Sequence, residues 1–418
     1  MEAISERPLT RRRTLRGLGG AGAVGALGLT GCATAPTTSA QQTASSAAAS
    51  SASPVAETGI KDLAVGEDAV VRTSMTTAWL KPGQGRGWTD EPVIKADARP
   101  DQWLSRMDVA QQRGLLGRTD TQAALGSRVT VRELSGDWVK VSFLDQAAPN
   151  DDGHQTSWVP RAHVVRDLGF LSAQTADGAQ VVRVTADSTG VFDGEGMEQT
   201  LVVVPFDTRL PLLEQGEKAS KILLPNEREG WIASADVAVG EPALGTVEQV
   251  FETARSFDGT PYLWGGISPF GIDCSGFTYT VLRSHGILLP RDAGPQLNHS
   301  GLPKVSADDL TPGDLLFYSL VPGGEKIRHV ALYLGKGHGI HAPFVGRPVC
   351  IETLQEINIK RDYAGAVRPR YAEARRRARA ADDDGPGTRR MVPGHRHEWP
   401  QRDLNPRPAR CKRAALAD

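Results

Sequence analysis

With 418 residues and a formal net charge of -1, the chain is long enough for two or three domains, and it has no basic excess that would argue for a nucleic-acid partner. Its four cysteines, Cys32, Cys274, Cys350 and Cys411, are too few and too scattered for a disulfide scaffold.

The first segment reads as an address rather than as fold. Thr10-Arg11-Arg12-Arg13-Thr14-Leu15-Arg16 resembles a twin-arginine export motif. Gly17 to Leu29 is apolar and rich in small residues, yet too short for a comfortable membrane span. Leu29-Thr30-Gly31-Cys32 then resembles a bacterial lipoprotein box. That order implies an exported protein whose residues 1–31 are a removed signal and whose Cys32 is lipidated, anchoring it to the membrane at the cell envelope. An ordinary cleaved signal with a chance cysteine is the alternative. Residues 32–59 are mostly Ala, Ser, Thr and Pro, cannot bury a core and read as a flexible tether.

Short strands and turns follow. Val129 to Leu134 alternates, Ser135-Gly136-Asp137 turns, and Trp138 to Phe143 alternates again, which predicts a hairpin. A strand is expected over Ser157 to Val164. Trp158 and Val164 recur at the same spacing as Trp231 and Val237, which suggests two copies of one small β-barrel. These endings resemble bacterial SH3-like domains and place one over residues 60–166 and a second over 167–240. Pro100 to Leu116 is predicted as a helical insertion in the first, with Asp101 as N-cap and Trp103, Leu104 and Met107 on one face.

Residues 245–371 carry the chemistry. Asp273 sits where an N-cap would, and Ser275 to His285 has helical spacing ending at Gly286. A cysteine in the first turn feels the positive end of the helix dipole, which favours the thiolate, and the first N–H groups can bind an oxyanion. The same position also suits a packed core cysteine. Ile327 to Leu334 reads as a strand, Gly335 to Gly339 as a turn and Ile340-His341-Ala342 as the return. A hairpin centred on residue 335 puts His329 and His341 opposite each other on one face. One could take the thiol proton while the other orients its imidazole. Two unrelated strand histidines are the alternative, and His338 falls in the turn.

The ordered pieces Thr260-Pro261-Tyr262-Leu263-Trp264-Gly265-Gly266, Gly271-Ile272-Asp273-Cys274-Ser275-Gly276-Phe277, Leu289-Pro290-Arg291-Asp292-Ala293, Leu310 to Leu315, Arg328-His329-Val330 and Ile340-His341-Ala342 resemble the NlpC-type cell-wall cysteine peptidases. The resemblance implies an α+β chain, a papain-like cysteine peptidase domain preceded by two small SH3-like β-barrels. It implies Cys274 as nucleophile, His329 as base and His341 as the third polar residue, with Tyr262 beside the thiol and Asp273 and Ser275 holding substrate. The branch with N-terminal SH3-like modules implies cleavage after γ-D-glutamate in short peptidoglycan stems with a free N-terminal L-alanine. There a wall from the first barrel narrows the cleft, and Asp273 is the expected partner of the ammonium. Ala293 stands where some members of that branch carry serine.

Trp264 could line the pocket or pack under its glycine turn. Arg291 and Asp292 read as loop-structuring, and Cys350 as a small buried apolar residue. Residues 372–418 read as a basic run and a disordered tail, whose His395, His397 and Cys411 lack metal-ligand spacing. No metal or organic cofactor is expected. The reading is a peptidoglycan stem-peptide hydrolase. An acyltransferase on the same three residues and a non-catalytic wall-binding lipoprotein are the alternatives.

Overall fold

The computed structural model describes residues 63–321, 324–358 and 362–373. The expected export signal, Cys32, the tether and the tail from residue 374, with His395, His397 and Cys411, lie outside the described residues. No helix among the described residues is long and apolar enough to cross a membrane.

The alternating run at 129–143 forms the predicted hairpin. Strands Arg128–Ser135 and Trp138–Ala147 pair antiparallel, with Ser135 opposite Trp138. Gly136, at φ +57°, makes the tight turn between them. Val129, Val131, Val139, Val141 and Phe143 belong to one buried cluster. These strands belong to a seven-stranded sheet between Asp68 and Val165. A second seven-stranded sheet runs between Val181 and Val239. Counted along the chain, the strands of both lie side by side in the order third, second, sixth, fifth, fourth, first, seventh. The Trp-to-Val endings match as well. Strand His154–Pro160, a single 3-10 turn Arg161–His163 and strand Val164–Val165 are repeated as Arg228–Ala233, Ser234–Asp236 and Val237–Val239. The continuous strand expected over Ser157 to Val164 is therefore broken by that turn.

The insertion differs from the single helix the sequence predicts. It contains 3-10 turns at Pro100–Gln102 and Leu104–Arg106, and its α-helix is Val109–Arg113. The cap is Asp108, not Asp101. Asp108 Oδ1 accepts from Gln111 N at 2.7 Å, and Gln111 Oε1 accepts from Asp108 N at 2.9 Å. This capping box starts a new helix just after an extended Met107, so the Pro100 segment cannot run through. Trp103, Leu104 and Met107 still pack together, in a cluster with Trp79, Leu115 and Leu263.

After the barrels come helix Val247–Ser256, capped by Thr246, and helix Cys274–Arg283, capped by Asp273. They pack with Ala293–Asn298 on an antiparallel sheet. Its order is Lys304–Val305, Asp362–Val367, Leu315–Ser319, Ile327–Gly335, His338–His341, Cys350–Thr353. Phe277, Val281, Leu315, Phe317, Val330, Leu332 and Ile340 form its core. The barrels pack directly against this module. Phe206 of the second barrel joins its core cluster, stacking edge-on with Phe257 at 5.6 Å.

Candidate active site

Cys274 is the first residue of its helix and is 7% exposed. Asp273 Oδ1 accepts from Gly276 N at 2.7 Å, closing the cap expected from the sequence. Gly276 is required by close approach, since a Cβ there would lie 2.1 Å from the carbonyl oxygen of Gly266. The first turn is thus pressed onto the Tyr262–Gly266 loop. Tyr262 is buried in the same cluster as Cys274 and bridges Ile272.

The helix packs on strand Ile327–Gly335, which carries His329. Val330 and Ala342, the residues that follow the two histidines, share a buried cluster with Cys274. His329 and His341 are each 1% exposed. Their rings meet edge to face, and His329 Nε2 lies 2.6 Å from His341 Nδ1. The register differs from the expected one. Leu332 pairs with Ile340 and Gly335 with His338, so the turn is Lys336-Gly337, both at positive φ, with a bulge before it. That register places His341 diagonal to His329 rather than directly opposite. A two-residue offset preserves the face, and diagonal neighbours remain within reach of long side chains. His338 is exposed, as expected, but it opens the return strand opposite Gly335 rather than lying in the turn.

The sequence assigns Asp273 and Ser275 to substrate, and the structure engages both elsewhere. Arg291, fully buried, donates to Asp273 Oδ1 and Oδ2 at 3.1 and 2.8 Å and to Ser275 Oγ at 3.1 Å. Asp273 Oδ2 also accepts from Gly265 N at 2.9 Å, and Ser275 Oγ donates to Asp273 Oδ1 at 3.3 Å. The carboxylate is therefore neutralised from inside the protein, by a cation the sequence suggests only as a loop residue. Trp264 packs against the first barrel. Its Nε1 donates to Thr119 O, and Thr119 Oγ1 donates to Trp264 O, both at 3.1 Å. Gly265, at φ +83°, lets the loop pass 3.1 Å from Asp120 O as measured to a hypothetical Cβ. The first barrel thus stands directly beside the loop that precedes the cysteine.

Three neighbours of the histidines escape the sequence reading. Tyr318 pairs with His329 across the sheet, their ring centres 6.0 Å apart. Glu352 Oε2 accepts from His341 Nε2 at 2.9 Å, and Arg347 Nη2 donates to Glu352 Oε1 at 2.7 Å. Burial alone would raise the Glu352 pKa, but the hydrogen bonds from His341 and Arg347 outweigh it and hold the carboxyl at about 2. Only an alternating strand, Cys350-Ile351-Glu352-Thr353, could have pointed to Glu352, and its partner is known only once His341 is seen opposite Cys350. His341, Cys350 and Glu352 each present one donor atom within 4.8 Å of the others. The Arg347 guanidinium lies 3.6 Å from Cys350 Sγ and 2.7 Å from Glu352 Oε1, so a metal ion would meet a fixed positive charge there. Cys350 is a buried thiol, as expected.

The NlpC/P60 family profile matches residues 259–368, and a profile described as YKFC SH3b2 domain matches residues 184–239. The chain is 33% identical over 306 residues to the γ-D-glutamyl-L-lysine dipeptidyl-peptidase of Bacillus cereus, covering 72% of this chain and 90% of that protein. It is 30% identical to the enzyme of the same name from Bacillus subtilis, covering 72% of this chain and 99% of that protein. A crystal structure of an NlpC/P60 family protein from Bacillus cereus superposes with a TM-score of 0.67 at 32% identity, covering 72% of this chain and 99% of the other. A helix-start cysteine beside two hydrogen-bonded buried histidines, behind two SH3-like barrels, agrees with all of these, and the chain belongs to the NlpC/P60 family of cysteine peptidases.

Proposed function

We propose that this protein hydrolyses the γ-D-glutamyl–L-diamino acid bond of peptidoglycan stem peptides, with Cys274 as nucleophile, His329 as base and His341 as the residue that orients it. The observation that carries this reading is the His329–His341 pair, buried and 2.6 Å apart, on the strands against which the Cys274 helix packs. The substrate is inferred from the two Bacillus relatives, which are named for the γ-D-glutamyl-L-lysine bond and are matched across the barrels as well as the peptidase domain. The Cys274 thiolate attacks the γ-carbonyl carbon of D-glutamate, and N–H groups at the start of the helix, that of Cys274 included, hold the oxyanion. His329 gives its proton to the leaving amine of the diamino acid. Water, activated by the same imidazole, then hydrolyses the thioester.

Tyr262 and Trp264 line the approach to the thiol in this reading, while Asp273 and Ser275 brace the helix, because Arg291 already takes up their side chains. The first barrel, hydrogen-bonded to Trp264, is the wall that favours short stems. Domains are divided at 60–166, 167–240 and 245–371. The protein is exported through a twin-arginine signal and anchored by lipid on Cys32, as the N-terminal motifs suggest.

The test is mass spectrometry of defined stems after incubation with the mature protein. L-Ala-γ-D-Glu-L-Lys should yield L-Ala-D-Glu and L-lysine, and its N-acetyl form should react more slowly. Cleavage at another bond, or none, overturns the function. Equal rates on free and acetylated peptide overturn the restricted cleft.

A further inference from the structure

We propose that Glu352 is a positioning residue for the thiolate chemistry, fixing where the protons sit on His341 and His329 so that the His329 Nδ1 lone pair is left for the thiol. The inference rests on the reading of Cys274, His329 and His341 as the reacting set. It starts from three contacts in a row: Arg347 Nη2 to Glu352 Oε1 at 2.7 Å, Glu352 Oε2 to His341 Nε2 at 2.9 Å, and His341 Nδ1 to His329 Nε2 at 2.6 Å. Each hydrogen bond needs one donor and one acceptor.

An ionised carboxylate can only accept. Glu352 remains ionised through the ordinary working range, because His341 and Arg347 offset the cost of its burial. The proton between Glu352 and His341 therefore belongs to His341 Nε2. A neutral His341 then has a lone pair on Nδ1, and the proton in the next bond belongs to His329 Nε2. A neutral His329 so oriented has its remaining lone pair on Nδ1. That nitrogen takes the Cys274 proton, giving a His329 imidazolium that still donates through Nε2. The opposite arrangement, with a proton on His341 Nδ1, would place the His329 proton on Nδ1 and leave no base for the thiol. Such a tautomer error is severely damaging when it occurs in a catalytic triad.

Arg347 completes the arrangement. It occupies the second carboxylate oxygen, so Glu352 is held in one orientation and its charge is largely balanced locally. Among the described residues, the titratable and charged groups facing Glu352 are His341 from the neighbouring strand, Arg347 from the preceding loop and Cys350 on its own strand. The pair is 13% exposed on each side, sheltered from the solvent that would otherwise compete for these bonds.

Three measurements test the proposal. Nitrogen NMR of isotope-labelled histidine in the wild-type protein should find His341 protonated on Nε2 and not on Nδ1. A proton on Nδ1 with Nε2 bare overturns the proposal without any mutation. Glu352→Gln can offer its amide N–H to His341 and reverse the chain, so kcat should fall at least about 10-fold with KM unchanged, and by up to the about 10⁴-fold lost when a triad carboxylate is replaced by its amide. Alkylation of Cys274 by iodoacetamide should also shift to higher pH, since a His329 with its lone pair turned away stabilises the thiolate less. An unchanged kcat together with an unchanged alkylation profile overturns the proposal, as does a variant that melts earlier with both unaltered, which would mark a purely structural role. NMR and alkylation need no peptide. If the wild type cleaves no stem peptide, the proposed function fails while these two readouts still decide the role of Glu352.

Discussion

Arg291→Met removes the cation that anchors the cap of the cysteine-bearing helix. Arg291 is fully buried and makes two bonds to Asp273, one to Ser275, one to Gly266 O at 3.4 Å and one to Thr121 Oγ1 at 2.9 Å. Methionine keeps much of the volume and none of the donors. Breaking a buried ion pair by removing one partner costs about 3–5 kcal/mol, because the other charge is left buried. Asp273 retains the amides of Gly265 and Gly276, which places the expected loss at the low end, about 3 kcal/mol. Thr121 Oγ1 still donates to Gln146 Oε1 at 2.7 Å, so the barrel side loses little. The assay is urea unfolding, with hydrogen exchange at the Gly276 and Phe277 amides to localise the effect. Adding Asp273→Asn removes the stranded charge while keeping a carbonyl oxygen for the cap. The double variant should therefore be more stable than the sum of the single changes implies, by on the order of 2 kcal/mol. A loss under about 0.5 kcal/mol for Arg291→Met, the range of an ordinary surface change, would refute the reasoning. So would strict additivity.

Cys274→Ala should abolish turnover with the fold intact, and any retained turnover refutes the nucleophile. His329→Ala should lower kcat by about 10²–10⁴-fold, the usual worth of a positioned acid–base group; His341→Asn should retain more activity than His341→Ala in the same assay. Cys32→Ser should move the protein from the membrane to the soluble envelope fraction, and identical partitioning of both forms would refute the anchor. The first barrel should lose stability in mild acid. Burial lowers the pKa of His163 from 6.5 to about 4, with Nδ1 against Thr76 Oγ1 at 2.9 Å and Nε2 against Lys95 O at 2.7 Å. Between those values the unfolded chain binds a proton that the folded chain does not, so this contribution is full above pH 6.5 and falls away as pH drops toward 4. The loss is on the order of 3 kcal/mol. His163→Gln should flatten the stability profile in that window, and an unchanged slope would refute the assignment.

The parts legible in the sequence are those set by neighbours along the chain. The hairpin at 129–143 follows from alternation around Gly136, and the Cys274 helix from a cap, an apolar stripe and a stop. The same local logic fails over Pro100–Leu116, where a capping box at Asp108 outcompetes the N-cap expected at Asp101. The histidine pair shows the boundary most clearly. Its shared face depends only on parity and is legible, whereas its register depends on a Lys336-Gly337 turn whose positive φ values a residue count cannot supply. Arg291, Arg347 and Glu352 are the opposite case. Their roles come from partners 18, 5 and 11 residues away, brought near by sheet pairing and loop packing, and nothing local distinguishes them from surface charges.

The same long-range contacts change the physical role of the barrels. The cysteine-bearing helix is held at both ends by residues outside its own module. At its start, Thr121 of the first barrel binds Arg291, which binds Asp273. Toward its end, Tyr279 OH donates to Asp145 O of the first barrel at 2.8 Å, and Arg283 donates to Asp207 of the second barrel at 2.6 Å and to Asp145 at 3.4 Å. Burial disfavours the charge on Arg283, but the surrounding acidic groups, Asp207 foremost, more than reverse this and raise its pKa. An arginine in that setting is costly unless its partners stay in place. A barrel swinging free on a linker would strand Arg283 and loosen Arg291 together. The energetics therefore favour a rigid unit in which the barrels frame the cysteine, and this rigidity is what the wall proposed beside Trp264 would need in order to select substrates by length.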